Sequence, residues 1–424
     1  MAIAQITTLS NTELTRIFFA IVLLLITAHG LGYIFRHFKL PKVIGEILAG
    51  LLFGPTILGY FFPQASQWIF HAFEAEGKVL SLIYWIGLVM LMFIAGFETQ
   101  HTFNKEDKKI ITYILIGSTV IPFIAGWFIP SLFDFTTYLG PAQNPLAFKI
   151  IIAIAIAVTS IPVISKIFLD LNIIHTRFAK LIISIATIED VLLWIVLAIA
   201  TGIVTNQNPS YSSILTTIII TIAFFLIGLK VIPKLLHKTN SSKYNLLLRS
   251  SISGYLLFIC FFFAALASIL NVNIVFGALL AGIIISTLPA EKFDPVKNYI
   301  KDISQGFFIP IYFALVGIKL DLIHHFNPLF FLGFLLFATL CKILGTLIAA
   351  KLLKKDNLTS LNFAIAMNTR GGPGIVVATI AFDLGIINET FFVTLILIAI
   401  VTSLFAGYWF KKIITANKPL MTEN

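Results

Sequence analysis

The sequence predicts an all-α, polytopic membrane protein with about thirteen transmembrane helices, two of them broken near their middles. Three observations support this fold class. The 424 residues are 58% hydrophobic and 11% charged, with a mean hydropathy of +0.99, whereas a soluble domain carries about 25% charged residues. Apolar stretches of membrane-spanning length recur along the whole chain. Two of these stretches contain a motif near their centres, VTSIPVIS and NTRGGPG, that combines proline with polar residues or glycine and interrupts a regular helix.

We place the spans by length and hydropathy, because a helix needs about 20 mostly apolar residues to cross the bilayer. The first basic residue is Arg16, so Phe18–Phe35 is interpreted as part of a first span and not as a cleaved signal peptide. The count depends most on the two short stretches 273–288 and 303–319. The predicted spans are 15–35, 42–60, 80–98, 109–133, 147–169, 177–203, 212–236, 247–270, 273–288, 303–319, 328–352, 358–385 and 388–411.

Basic residues orient these spans, because Lys and Arg accumulate in cytoplasmic loops. An odd number of spans puts the termini on opposite sides, and we place the N-terminus outside and the C-terminus in the cytoplasm. The inside segments then hold 23 of the 29 Lys and Arg residues, including Lys39, Lys105 and Lys243. Two more, Lys342 and Arg370, fall within predicted spans. The four basic residues outside are Arg16, Lys78, Lys149 and Lys319.

The composition argues against several other classes of protein. The net charge of +10 and pI of 9.4 are explained by basic loops, so no nucleic acid is expected as a partner. Cys260 and Cys341 lie in apolar runs and are interpreted as packed thiols, so neither a disulfide nor a metal site is expected. A metal site at His324–His325, in an outside loop, is the weaker alternative. No segment is long enough for a soluble nucleotide-binding domain, and no motif indicates an enzyme or a cofactor.

Charged residues at membrane depth are the strongest functional signal. Residues 186–200 read ATIEDVLLWIVLAIA, and they place Glu189 and Asp190 in the middle of a span. Each ionised carboxylate at that depth costs about 2.5–3.5 kcal/mol on insertion scales. Adjacent helical residues point about 100° apart, so the two carboxylates have separate partners. We expect one to pair with Lys342, in LFATLCKILGTLIAA, and the other, Asp190, to face a cavity; a purely structural ion pair is the alternative.

Two spans contain helix-breaking sequences near their centres. Irregular backbone at this depth is tolerated only where protein or a water-filled cavity covers it. Such breaks free carbonyl oxygens that suit a cation. A simple proline kink remains an equal alternative for the first break alone. The two motifs are VTSIPVIS (Val158–Ser165), with Thr159, Ser160 and Pro162, and NTRGGPG (Asn368–Gly374), with Arg370, Gly371, Gly372, Pro373 and Gly374.

The spacing of the two breaks predicts an inverted repeat. They lie in the fifth and twelfth predicted spans, and an odd separation makes the two broken helices run in opposite directions. Paired interrupted spans of opposite sense are typical of secondary transporters that bind their substrate between the breaks.

These features predict a binding site for a monovalent cation and a proton. Oxygen ligands suit a hard cation, and we expect them from Asp190, from the Thr159 and Ser160 hydroxyls and from carbonyls at the break. Protons and cations would then exclude each other at one carboxylate, which produces exchange. Arg370 either bridges the broken helix ends or sets the potential of the cavity. Glu46 is interpreted first as an interfacial, snorkelling residue and second as part of the route by which ions reach the site.

The ordered set of motifs resembles the bacterial monovalent cation:proton antiporters of the second superfamily group, which include sodium/proton exchangers, Kef-type potassium efflux systems and plant cation/H⁺ exchangers. The resemblance covers roughly Arg16 to Lys411. The motifs, in order, are KLPKVIGEILAGLLFGPTILG, LVMLMFIAGFE, VTSIPVISKI, IEDVLLWIVLA, PIYFALVGIKLDL, CKILGT and NTRGGPGIVVA.

The resemblance implies the sodium/proton antiporter fold, with two crossed broken helices and a homodimer in the lipid bilayer. It implies a mobile core (109–203 and 328–411) against a dimerisation scaffold (15–98 and 212–319) within one domain, 1–424. It also implies that Asp190 binds cation or proton. Glu189 departs from the aspartate of electrogenic sodium exchangers and from the glutamine of Kef-type proteins.

The sequence therefore predicts an antiporter that exchanges Na⁺ or K⁺ for protons, multi-pass in a bacterial inner membrane. The alternative is a gated cation channel or an ion-sensing membrane subunit on the same scaffold. Neither hypothesis includes a nucleotide.

Overall fold

The computed structural model describes residues 9–38, 40–70, 73–98, 107–205, 211–240 and 245–422, and these are largely helical. Three of the basic residues predicted to lie inside, Lys39, Lys105 and Lys243, are outside the described residues. The helices up to the acidic pair are α1 (Asn11–His37), α2 (Lys42–Phe53), α3 (Leu58–Phe61), α4 (Pro63–Phe70), α5 (Glu74–Phe97), α6 (Lys108–Leu115), α7 (Ile121–Leu132), α8 (Pro145–Ala157), α9 (Ile161–Asp170) and α10 (Arg177–Thr205). The remaining helices are α11 (Tyr211–Lys230), α12 (Ile232–Asn240), α13 (Leu246–Ser250), α14 (Ile252–Ile269), α15 (Ile274–Ser286), α16 (Ala290–Ile303), α17 (Ile309–Ile318), α18 (Leu322–His325), α19 (Pro328–Leu352), α20 (Asn357–Met367), α21 (Gly371–Asp383) and α22 (Glu389–Thr415).

Among the described residues, 10 helical stretches are long and apolar enough to cross a membrane. They coincide with ten of the predicted spans. The other three predicted spans hold shorter helices: 273–288 holds α15, 303–319 holds the π-helical turn 304–308 and α17, and 358–385 holds α20 and α21 on either side of a break. The total count of about thirteen stays a prediction.

Short polar side chains determine where several helices begin. Asn144, Asn327 and Asn388 each accept a hydrogen bond from the backbone N–H three residues further on, which satisfies a donor that has no partner within the helix. Five-residue π-helical turns, at 116–120 between α6 and α7 and at 304–308 between α16 and α17, join helices without a loop.

Asp356 fixes the start of α20, the helix that leads into the second break. Burial raises the pKa of this carboxyl, but hydrogen bonds from Thr359, Thr422 and the Leu358 N–H outweigh that effect and lower the pKa to about 2. The ionised carboxylate therefore stabilises this junction at neutral pH, and its contribution is lost only as the pH falls from about 4 towards 2.

We group the helices by their contacts into a first bundle, α1–α5 and α11–α18, and a second bundle, α6–α10 and α19–α22. The two bundles also pack against each other, through α10 with α11 and α18 with α22. Helices α2 and α17 cross in the first bundle with their backbones in contact. A Cβ atom at Gly50 would overlap the backbone of Ala314, and a Cβ atom at Gly317 would overlap the carbonyl of Ile47. Only glycine allows so close an approach.

We expect Gly50→Ala to destabilise the protein by roughly 1–3 kcal/mol, because the added methyl group must push α2 and α17 apart. Thermal unfolding of the purified protein in detergent would measure the change. Gly333→Ala on α19 is the matched control, since a Cβ atom there meets nothing within 4 Å and alanine favours a helix by about 1 kcal/mol. Equal melting temperatures for the two variants would contradict the close crossing.

Candidate functional site

The two helix breaks lie in contact with each other. Residues 158–160 separate α8 from α9, and residues 368–370 separate α20 from α21. The Thr159 hydroxyl donates to the Met367 carbonyl at 2.6 Å, and the Ser160 N–H donates to the Thr369 carbonyl at 2.5 Å. The two unwound segments therefore satisfy part of each other's hydrogen-bonding capacity, as irregular backbone at membrane depth requires.

The prolines and glycines of the motifs have different local roles. Pro162 and Pro373 fall in the first turns of α9 and α21, where a helix makes no use of the backbone N–H that proline lacks. Gly371 has φ of +39°, and a Cβ atom there would overlap Ser160 and Val163, so the contact between the breaks requires glycine. Gly372 has open space around it.

Glu189 on α10 and Lys342 on α19 form a buried ion pair. Both side chains are 0% exposed, and Lys342 Nζ lies 3.1 Å from Glu189 Oε1. The second oxygen, Oε2, accepts a hydrogen bond of 2.7 Å from the Thr119 hydroxyl in the π-helical turn 116–120. The longer glutamate side chain thus reaches the lysine, and both of its oxygens have partners.

Two cations cover the C-terminal end of α8. Lys342 Nζ also donates to the Ala157 carbonyl. Arg370, which is 2% exposed, donates from Nε to the Ala155 carbonyl at 3.2 Å and from Nη2 to the Ala338 carbonyl on α19 at 2.9 Å. Positive groups are favourable at this end of a helix, where unpaired carbonyls concentrate negative potential. Several carbonyls that we expected to be free for a transported cation therefore already accept hydrogen bonds from protein groups.

Asp190 differs from Glu189 because one of its carboxylate oxygens accepts no hydrogen bond within the described part of the chain. It is partly buried, and its buried Oδ1 accepts no hydrogen bond from a described residue. The same is true of the Asn368 side-chain oxygen at the end of α20. The predicted ligands Thr159 and Ser160 are both fully buried at the break, where the Ser160 hydroxyl accepts from the Val163 N–H at 3.3 Å. Their role as cation ligands stays a prediction.

Thr119 and Asn368 are the site residues that sequence analysis missed. Thr119 stands next to Ser118 near the middle of a largely apolar span, which is the signal that could have drawn attention to it. Its contact with Glu189 depends on the π-helical turn, and hydropathy does not reveal such turns. Asn368 is the first residue of the NTRGGPG motif, and a polar amide at membrane depth is the signal that could have drawn attention to it.

Glu46 and the histidines lie away from this cluster. Glu46 is 3% exposed and pairs with Lys42 at 2.8 Å. Its carboxylate is therefore buried in the first bundle, whereas the carboxylate of a snorkelling residue would reach water. His324 pairs with Asp321 at 2.7 Å. Among the described residues, no group of three or more potential metal ligands occurs.

Comparison with known proteins finds relatives along almost the whole chain. The family model described as "Sodium/hydrogen exchanger, transmembrane" matches residues 19–416. The chain is 30% identical to the K⁺/H⁺ antiporter 1 of Saccharomyces cerevisiae, over 93% of this chain and 46% of that protein. It is 24% identical to the Na⁺/H⁺ antiporter NhaS4 of Synechocystis, over 93% and 96%, and 25% identical to the Na⁺/H⁺ antiporter of Enterococcus hirae, over 94% and 100%. The chain thus spans about half the length of the yeast relative and nearly all of the other two.

A solved structure of similar fold is the sodium proton antiporter MjNhaP1 from Methanocaldococcus jannaschii. The TM-score is 0.65 at 15% sequence identity, covering 94% of this chain and 98% of that one. Together with the apolar helices, the family match shows an integral, multi-pass membrane protein.

We expect Lys342→Met to destabilise the protein by roughly 3–5 kcal/mol, because it leaves Glu189 charged and unpaired in the interior. Glu189→Gln combined with Lys342→Met should recover much of that loss, since neither charge then remains. Thermal unfolding of the two single variants and the double variant would measure this coupling. A double variant whose loss equals the sum of the two single losses would show that the pair does not contribute as a unit.

Proposed function

Since the chain belongs to the sodium/hydrogen exchanger family, we propose that it is a secondary active antiporter that exchanges Na⁺ or K⁺ for protons. The observation that carries this proposal is the unequal use of the two carboxylates. Glu189 is held by Lys342 and Thr119, while Asp190 keeps a buried oxygen without a described partner. The relatives named above as Na⁺/H⁺ and K⁺/H⁺ antiporters support the same exchange.

In this proposal Asp190 binds either a proton or one monovalent cation. Each occupant brings one positive charge to one negative carboxylate, so the two compete for the same site. The oxygens of Thr159, Ser160 and Asn368 at the contact between the breaks are the proposed additional cation ligands. Arg370 holds the end of α8 in place and sets a positive potential beside the site, which disfavours a second cation.

Alternating access requires the site to face each side of the membrane in turn. We propose that the second bundle is the moving core and the first bundle the stationary scaffold, in the inverted-repeat arrangement with crossed broken helices. The Glu189–Lys342 pair and Asp190 then travel together, because α8, α10, α19 and both breaks belong to the second bundle. A homodimer formed through the first bundle, with the N-terminus outside a bacterial inner membrane and the C-terminus in the cytoplasm, completes the proposal.

We expect Asp190→Asn to abolish exchange in proteoliposomes, because the neutral amide takes up no proton and has no negative charge for which a proton and a cation could compete. A Na⁺ or K⁺ pulse should collapse a pH gradient with the unmodified protein and leave it intact with the variant. Asp302→Asn is the matched control, since Asp302 is an exposed carboxylate on α16. Exchange by the Asp190→Asn protein would remove the proposed site. Cation flux without any proton movement would favour the gated channel.

We expect the exchange to be electroneutral, because one carboxylate alternates between two ions of equal charge while Glu189 stays paired with Lys342. A cation jump on a solid-supported membrane should therefore give no sustained current, although a pH dye reports proton movement. A current that scales with the proton flux, and that Lys342→Gln removes without abolishing proton movement, would instead show that Lys342 carries a transported proton. The Asp190→Asn protein controls for current that does not arise at the proposed site.

A further inference from the structure

Three side chains form a second polar cluster away from the cation site. Lys319, directly after α17, places its Nζ 2.5 Å from Asp383 Oδ1 at the end of α21. The Tyr84 hydroxyl on α5 donates to Asp383 Oδ2, also at 2.5 Å. The Lys319 ammonium lies 4.0 Å from the centre of the Tyr84 ring, an attractive cation–π contact. Each of the three groups therefore contacts the other two.

This cluster joins the two bundles. Tyr84 and Lys319 belong to the first bundle, whereas Asp383 belongs to the second. Other ion pairs, such as Lys42–Glu46 and Lys301–Glu98, stay within the first bundle. Movement of the second bundle past the first must separate Asp383 from both of its partners.

The cluster is also coupled to the cation site by a rigid element. Asp383 is the last residue of α21, and the first residue of the same helix, Gly371, adjoins the second break. Thirteen residues of helix span about 20 Å. By the predicted orientation, the cluster lies on the outer side of the membrane, because Lys319 is one of the four basic residues assigned there.

The exposure of the cluster suits a contact that opens and closes. The side chains of Lys319 and Asp383 are 31% and 14% exposed, whereas those of Glu189 and Lys342 are 0% exposed. A cavity of about 410 Å³ beside the cluster is lined by Tyr84, Lys319 and Asp383. Water can therefore solvate both charges as they separate, which keeps the cost of breaking the pair small. Breaking the Glu189–Lys342 pair would instead leave an unpaired charge in the protein interior, which is far more costly.

We propose that Tyr84, Lys319 and Asp383 form an outer gate that closes the cleft between the two bundles and opens once in each transport cycle. This inference rests on the proposed function and adds three positioning residues to it. They bind no transported ion; they determine when the outer side of the site is accessible.

The test is to fasten the gate reversibly. In a background with Cys260 and Cys341 replaced by serine, Lys319→Cys and Asp383→Cys are combined and linked with a short, reducible bifunctional methanethiosulfonate. Proton movement driven by Na⁺ or K⁺ in proteoliposomes should fall roughly tenfold or more on linking and return on reduction, because a closed gate halts the cycle. Glu98→Cys with Lys301→Cys is the matched control, since both residues lie in the first bundle and linking them should leave exchange unchanged. Full exchange by the linked Lys319–Asp383 variant would overturn the gate.

A second measurement does not depend on transport. Thr379 is fully buried on α21, one turn before Asp383. In nanodiscs, which expose both faces, Thr379→Cys should react with a water-soluble thiol reagent several-fold faster when Asp383→Asn is added, and at an unchanged rate when Lys301→Gln is added. Equal rates in all three proteins would overturn the gate. Absence of exchange by the unmodified protein would instead contradict the proposed function, while the thiol reaction would still decide the gate.

Discussion

The structure depends on the neutralisation of charge where the two broken helices meet. Two cations, Lys342 and Arg370, and two carboxylates, Glu189 and Asp190, lie within the same bundle, and their formal charges sum to zero. Such charges in a bilayer persist only when they are paired or hydrogen-bonded. Lys342 is both paired and hydrogen-bonded, because it forms an ion pair with Glu189 and donates to the Ala157 carbonyl at the end of α8. Asp190 is the member of the set that keeps an oxygen available.

The helix breaks follow from the same requirement. Each break exposes carbonyl and N–H groups that lipid cannot satisfy. The Thr159 hydroxyl and the Ser160 N–H donate to carbonyls of the other break, while Arg370 donates to the carbonyls of α8. A change that disturbs one break therefore leaves unsatisfied groups in the other. This mutual dependence joins the two breaks into one structural unit.

Local sequence patterns predicted the parts of the site that are encoded locally. Hydropathy located the spans, proline and glycine located the breaks, and a carboxylate pair in an apolar run located α10. The family match supports the assignment to cation:proton antiporters. The contacts of Thr119 and Asp383 were not predicted, because each joins residues far apart in the chain. Hydropathy and helix periodicity describe one helix at a time, and neither determines which helix lies beside it.

The ion pair that joins the two bundles, Lys319–Asp383, and the ion pair beside the breaks, Glu189–Lys342, differ mainly in burial. Burial determines how each pair can function. A pair with 0% exposed side chains, such as Glu189–Lys342, cannot separate without stranding a charge, so it fixes the geometry of the site in every state. A pair at the water boundary, such as Lys319–Asp383, exchanges its partner for water at little cost, so it can differ between states. Transport by a rigid moving body needs both kinds of contact: one that holds the site together while it moves, and one that releases it. The chain places the first kind beside the helix breaks and the second at the far end of α21, the helix that begins at the second break.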